Sequence, residues 1–199
     1  MHDQATKTLP RLCLFDISQV NGRELLTLAG VPLPQGSDND DACDFGTVVQ
    51  AAQALAASLG GAAGALGSVC WTDGPFPGGV LDVPSGRAWK LTMPPLPGPV
   101  LSPVGAGDAV AGGTFHAWLG LRSAPNSTSA ATEATWDLDA AAGPAEKFKR
   151  DAAKPAGVAA FQFGLACGAA SCLTAENSAL DLTTALSLHA QINVEVFLA

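Results

Sequence analysis

Positive charge is scarce in this sequence: ten Lys and Arg stand against 18 Asp and Glu, a formal charge of −8 over 199 residues. Such a field repels nucleic-acid backbones and anionic bilayers unless a local basic patch outweighs it. The one cluster, Lys147, Lys149 and Arg150, is small and lies between Glu146 and Asp151. Neither nucleic acid nor a membrane is expected as a partner. Long apolar runs are missing too. No stretch of about 18 apolar residues could cross a bilayer, and no basic-then-apolar leader opens the chain. A soluble, cytoplasmic protein is the expectation. The five cysteines, Cys13, Cys43, Cys70, Cys167 and Cys172, are odd in number, form no CxxC pair and have no histidine at metal-ligand spacing. They read as buried, reduced thiols. Asn126-Ser127-Thr128 fits the glycosylation pattern, but without a secretory leader it reads as a chance match. No internal repeat is evident.

What is present is a 48% hydrophobic chain of single-domain length. Residues 12–17 suit a short buried strand, and residues 22–30 a short helix ending in Gly30 with Asn21 as its N-cap. An acidic, Pro- and Gly-rich loop precedes a second helix over residues 45–61. Val69, Cys70 and Trp71 form a β-prone core that ends in a turn at Thr72, Asp73 and Gly74. Residues 80–83 and 88–92 read as a hairpin around residues 84–87. The proline-rich stretch after them cannot be helical. A helix then opens near Gly105 and runs towards Leu121. Residues 122–155 read as a surface insertion with a short helix near residues 146–153. A small-residue helix buried on most sides is expected over residues 158–173, another helix over residues 180–190, and a terminal strand over residues 192–198. The alternation of helix and strand favours one α/β domain with a mainly parallel sheet.

The chemistry concentrates in "SPVGAGDAVAGGTFHAW", residues 102–118. A helix N-terminus presents unpaired N–H groups and the positive end of its dipole, so it attracts anions. Gly105, Ala106 and Gly107 leave room for phosphate oxygens to reach the backbone. Asp108 in the first turn could take the proton of an attacking alcohol. The competing explanation is a glycine-rich turn whose acid serves only the cap and the dipole. Gly112 and Gly113 inside the helix each cost on the order of 1 kcal/mol relative to Ala, which close packing must offset. His116 lies two turns in, away from the anion end, and reads as structural.

"PVGAGDAVAGG" resembles the C-terminal signature of the ribokinase-like, or PfkB, carbohydrate kinases. Two further segments are similar to that family's motifs in the family's order: "VNGRE" to N-x-x-E, and "WTDGPFPGG" to the nucleotide loop after a strand. "FQFGLACGAASCL" is similar to the small-residue helix beside the adenine. The resemblance implies a three-layer α/β/α, Rossmann-like fold and ATP with Mg²⁺. It makes Asp108 the catalytic base and the amides of Gly105, Ala106 and Gly107 the anion hole. Asn21 and Glu24 would hold magnesium through water, although the same pair also fits a capping box. Thr72, Asp73 and Gly74 would lie by the nucleotide, and Cys167, Gly168 and Ala169 would face the adenine. A tightly packed helix is the competing account of the last three, and the stronger one for Cys167.

The sequence also departs from the family. Leu101-Ser102-Pro103-Val104 replaces the commoner Asp-Thr-Thr ahead of the motif, and Pro103 is nearer the phosphosugar branch, which favours a sugar phosphate over a free sugar. The family's N-terminal half, with its sugar-binding residues and lid, has no counterpart in this chain. The expectation is a fragment or a shortened relative, with an exposed sheet edge that leaves it marginal or in need of a partner, a homodimer among the options. Three functions follow: an ATP-dependent kinase acting on a sugar or sugar-phosphate hydroxyl, a non-catalytic nucleotide-binding remnant, or an α/β interaction domain whose glycine turns are structural.

Overall fold

A computed structural model describes residues 17–33, 42–59, 66–123 and 154–197. Outside them lie Cys13, the Asn126 triplet, the helix expected near residues 146–153, most of the 122–155 insertion and all of the 12–17 strand but Ile17. The chain divides into two compact units, one of residues 1–97 with 190–199 and one of residues 98–189.

In the first unit, β1 (Ile17–Asn21) runs directly into α1 (Gly22–Leu28). The change is abrupt because Asn21 caps the helix. Its Oδ1 accepts the Glu24 N–H at 2.8 Å, and Glu24 Oε2 accepts the Asn21 N–H at 2.9 Å. This is the reciprocal capping box that the Asn-x-x-Glu spacing allows. Helix α2 (Phe45–Leu59) starts from Asp44, whose Oδ2 accepts both the N–H and the hydroxyl of Thr47. Those bonds hold the Asp44 carboxyl below the usual carboxylate range. Strands β2 (Ser68–Asp73), β3 (Phe76–Asp82) and β4 (Arg87–Thr92) follow, and β5 (Asn193–Phe197) returns from the far end of the chain.

The five strands lie in chain order across one sheet. β1 is parallel to β2, with Ile17 opposite Ser68 and Asn21 opposite Thr72. The other three pairings are antiparallel. The sheet is therefore mixed, not mainly parallel. The reason lies in the connections: Gly74 and Pro75 alone join β2 to β3, and residues 83–86 alone join β3 to β4. A parallel pairing needs a crossover of a dozen residues or more. Gly74 has φ +57°, which a tight hairpin turn of this kind demands of its first central residue.

Helices α1 and α2 bury Leu25, Leu26, Val48, Val49, Ala52 and Leu55 with Val69, Trp71, Leu81 and Ala88 of the sheet. The register makes the strand residues one row, since Val69 pairs Leu81 and Leu81 pairs Ala88. Phe45 packs between Trp71, at 5.4 Å, and Phe197, at 5.0 Å between ring centroids. The alternate residues Cys70, Val80 and Trp89 are buried as well. Trp71 is opposite Gly79 and its indole occupies the space where a Cβ at 79 would stand, with Cη2 at 2.7 Å. A strand glycine here is a packing requirement.

In the second unit, α3 (Ala106–Ser123), α4 (Ala156–Ser171) and α5 (Leu182–Gln191) form the helical framework. Nearly every residue of α4 is buried, as expected of a helix with no polar face. Helices α3 and α4 meet at glycines. A Cβ on Gly164 would lie 2.6 Å from the Val110 carbonyl oxygen, and one on Gly168 would lie 3.0 Å from the Ala106 carbonyl oxygen. A Cβ on Gly113 would lie 2.8 Å from Cys167 Sγ, whereas one on Gly112 would meet nothing within 4 Å. Close packing thus accounts for Gly113 but not for Gly112. Asp181 caps α5 through the N–H and hydroxyl of Thr184. Gln162 Nε2 donates to the His189 carbonyl at 3.0 Å, and the His189 ring lies edge-on to Phe163. Burial, and then Lys154, pull the His189 imidazole down to about 4.

Candidate functional site

The parallel pair β1 and β2 ends at one edge of the sheet, and carboxyl ends of parallel strands are where open α/β sheets bind ligands. There the first unit has an open cleft of about 310 Å³, lined by Asn21, Arg23, Glu24, Asp73, Gly74, Pro75 and Phe76. The structure thus brings together four of the residues singled out in the sequence: Asn21, Glu24, Asp73 and Gly74. Thr72, opposite Asn21, is half-buried next to them.

Asp73 has a structural task as well. Its Oδ2 accepts the Cys43 N–H at 2.7 Å, which ties the approach to α2 onto the end of β2. Gly22 is buried under this corner, where a Cβ would touch Cys43 Sγ at 3.4 Å and Asp73 Oδ1 at 3.6 Å. Burial and then the Asp73 carboxylate push the Cys43 thiol up, while the Arg23 guanidinium acts in the opposite direction. Arg23 was not singled out from the sequence. Its signal was its place in the first turn of α1 between the two residues of the Asn-x-x-Glu pair. Among the described residues no group of three or more His, Cys, Asp or Glu is arranged to hold a metal ion.

In the second unit the glycine-rich motif does open a helix. Gly105 has φ +83°, and its carbonyl accepts the Ala109 N–H at 2.9 Å, the first bond of α3. Its left-handed backbone and lack of Cβ are both needed, because a Cβ there would lie 2.8 Å from Ser178 N and on top of Ser178 Oγ. Ala106 donates its N–H to the Pro103 carbonyl at 3.2 Å. That bond removes Ala106 from the expected set of anion-hole donors. Gly107 and Asp108 are exposed, and neither amide has a backbone acceptor among the described residues. Asp108 is the one acid in the first turn. His116 is exposed further along the helix.

Cys167 and Gly168 take the packing account rather than the adenine one. Cys167 is 3% exposed and Gly168 is buried, and both face α3 at the glycine contacts. Only Ala169 is half-exposed. Burial pushes the Cys167 thiol up to about 11 and raises that of Cys70 further. Cys43, Cys70, Cys167 and Cys172 are all free thiols, although Cys43 and Cys172 are half-buried where full burial was expected. Among the described residues no helix is long and apolar enough to cross a membrane.

No protein family's sequence pattern matches the chain, and no curated protein does. Solved structures do. A protein of Clostridium perfringens named "putative sugar kinase" aligns at TM-score 0.59 and 14% identity, over 99% of this chain and 46% of its own. Phosphofructokinase-2 from Escherichia coli, in complex with potassium, aligns at TM-score 0.56 and 20% identity, over 90% of this chain and 42% of its own. The chain spans less than half the length of each. At such identities the likeness establishes shared architecture: an α/β fold corresponding to part of the ribokinase-like fold of sugar kinases.

Proposed function

We propose that this chain is the nucleotide-binding part of an ATP-dependent kinase that phosphorylates a hydroxyl of a sugar or sugar phosphate. One observation carries the reading: α3 begins at a left-handed glycine, with two first-turn amides free of carbonyl partners and an exposed carboxylate at Asp108. Those amides suit oxygens on which negative charge builds up. Asp108 orients the acceptor hydroxyl and takes its proton as the new O–P bond forms and the bond to ADP breaks. Gly107 and the Asp108 amide are the donors in this arrangement, and Gly105 sets the backbone that aims them. In the first unit Thr72, Asp73 and Gly74 are the residues offered to a nucleotide, and in the second Ala169 is the part of α4 left to meet a base.

Asn21, Glu24 and Asp73 offer oxygen donors to a magnesium ion, which when bound neutralises phosphate charge. One oxygen each of Asn21, Glu24 and Asp73 already accepts a backbone N–H group. Three such partly committed groups fit a hydrated ion held through water, not a direct cage. The capping box is no obstacle, since it fixes the Glu24 carboxylate in place. A sugar phosphate is favoured as acceptor by Pro103 and by the likeness to a phosphofructokinase.

The second reading, a non-catalytic remnant that binds the nucleotide alone, draws on the coverage of under half of each sugar kinase. Calorimetric titration with ATP and Mg²⁺, followed by a coupled ADP assay over sugars and sugar phosphates, separates the two. Turnover that falls about 10²- to 10⁴-fold in Asp108→Asn, with ATP affinity retained, supports the kinase. Binding without turnover favours the remnant, and no binding overturns both.

A further inference from the structure

Among the described residues Ser178 alone is a non-glycine with positive φ, +58°. A left-handed backbone is unfavourable for an L-residue with a side chain, and such strain persists only where the surroundings impose it. Ser178 lies against Gly105, the other left-handed residue of this corner. Its N and Oγ fill the volume that a side chain at 105 would occupy, and the hydroxyl faces the Gly105 carbonyl at 3.5 Å. That carbonyl is also the acceptor of the first α3 bond, from Ala109.

The segment carrying Ser178 is held at both ends. The Thr174 hydroxyl sits within 3.0 Å of the carbonyls of Ser171, Glu176 and Ala179, closing the turn after α4. Asp181 caps the helix that follows. Across from it, the Cys172 carbonyl accepts the Leu101 and Ser102 N–H groups, and Ser102 Oγ stands 3.4 Å from Asn177 Oδ1. The segment is therefore fixed against the same loop that leads into α3, and Ser178 is its point of contact with Gly105.

We infer that Ser178 is a positioning residue: held in a strained conformation, it fixes the Gly105 peptide and so the direction in which the Gly107 and Asp108 amides point. This rests on the kinase reading for its catalytic consequence, but the effect on the helix start stands apart from it. Glycine tolerates φ +58° without strain, so a residue with only a structural task would be improved by Ser178→Gly. A positioning residue loses function by the same change. The two roles predict opposite results.

The test compares wild type, Ser178→Gly and Ser178→Ala. Hydrogen exchange is followed at the Ala106 and Ala109 amides, whose acceptors are the Pro103 and Gly105 carbonyls, together with Tm and steady-state kinetics. The inference expects Ser178→Gly to keep or raise Tm while exchange at both amides speeds up about tenfold. It also expects kcat to fall at least about tenfold with KM for ATP little changed, the mark of misplaced groups rather than lost binding. Ser178→Ala, which lacks the hydroxyl, moves exchange in the same direction. If Ser178→Ala does not fold, Ser178→Gly decides alone. Wild-type exchange in Ser178→Gly overturns the inference whatever the kinetics show. If wild type itself has no turnover, the kinase reading fails, and exchange at the two amides still decides the role of Ser178.

Discussion

Two helix glycines that look alike in the sequence should respond to alanine with opposite signs. Gly112, on the exposed side of α3, has nothing within 4 Å of a would-be Cβ. Gly112→Ala gains helix propensity, up to about 1 kcal/mol. Gly164→Ala gains the same propensity, but its methyl would lie 2.6 Å from the Val110 carbonyl oxygen and 3.0 Å from Thr114 Cβ. A carbon against a carbonyl oxygen needs about 3.3 Å, so even after the Thr114 hydroxyl, which the methyl would overlap, turns aside, the two helices must part by roughly 0.7 Å. Overpacking of this kind costs about 1–3 kcal/mol. Since the propensity gain is common to both variants, the difference between them isolates the packing cost, again about 1–3 kcal/mol. Urea unfolding followed by far-ultraviolet circular dichroism measures it. Should both variants shift the midpoint upward by similar amounts, α3 and α4 are not in backbone contact and the packing account of the α4 glycines is wrong.

Gly79→Ala should lower the unfolding free energy by about 1–3 kcal/mol, because Trp71, 1% exposed, has no other place to go; a red-shifted tryptophan emission in the folded state would mark its displacement. Asn21→Ala should cost about 1 kcal/mol through loss of the cap, and Asn21→Ser should restore most of it, while ATP affinity distinguishes a cap from a ligand-holding group, since only the latter role leaves Asn21→Ser impaired. His189 has a folded-state pKa of about 4, below its ordinary 6.5, so its neutral form favours the fold above pH 6.5 and that contribution is lost as pH falls from 6.5 towards 4. A pH series of unfolding midpoints should show the decline, blunted in His189→Gln, and an imidazole that titrates near 6.5 in the folded protein would contradict the burial.

Much of the local structure was legible. The Asn21 cap, the helix start at Gly105, the hairpin turn, which formed one residue early at 83–86, and the alternation that became β5 all rest on short-range chemistry. The sheet's polarity was not legible in the same way. Helix–strand alternation suggests parallel pairing, but residues 76–79, with Pro77 and two glycines, read as a loop and concealed the start of β3. They form a strand because Gly79 is what the Trp71 indole requires of its neighbour. The pairing of β5 with β4 joins residues about a hundred positions apart and depends on the whole fold. Asp108 in one unit and the cleft residues in the other were legible as types and spacings. Which amides remain available, the part played by Arg23, and the contact of Ser178 with Gly105 depend on φ angles and neighbours that no local pattern encodes. The small residues of α4 carried two meanings at once, and distances to α3 chose between them.

The glycine seam between α3 and α4 also bears on evolution. The two helices are registered by close approach at Gly113, Gly164 and Gly168, so their alignment is written into three positions that admit no side chain. Variation along either helix is therefore channelled away from those three positions and onto outward ones such as Gly112, while the helix that presents Asp108 keeps its seat.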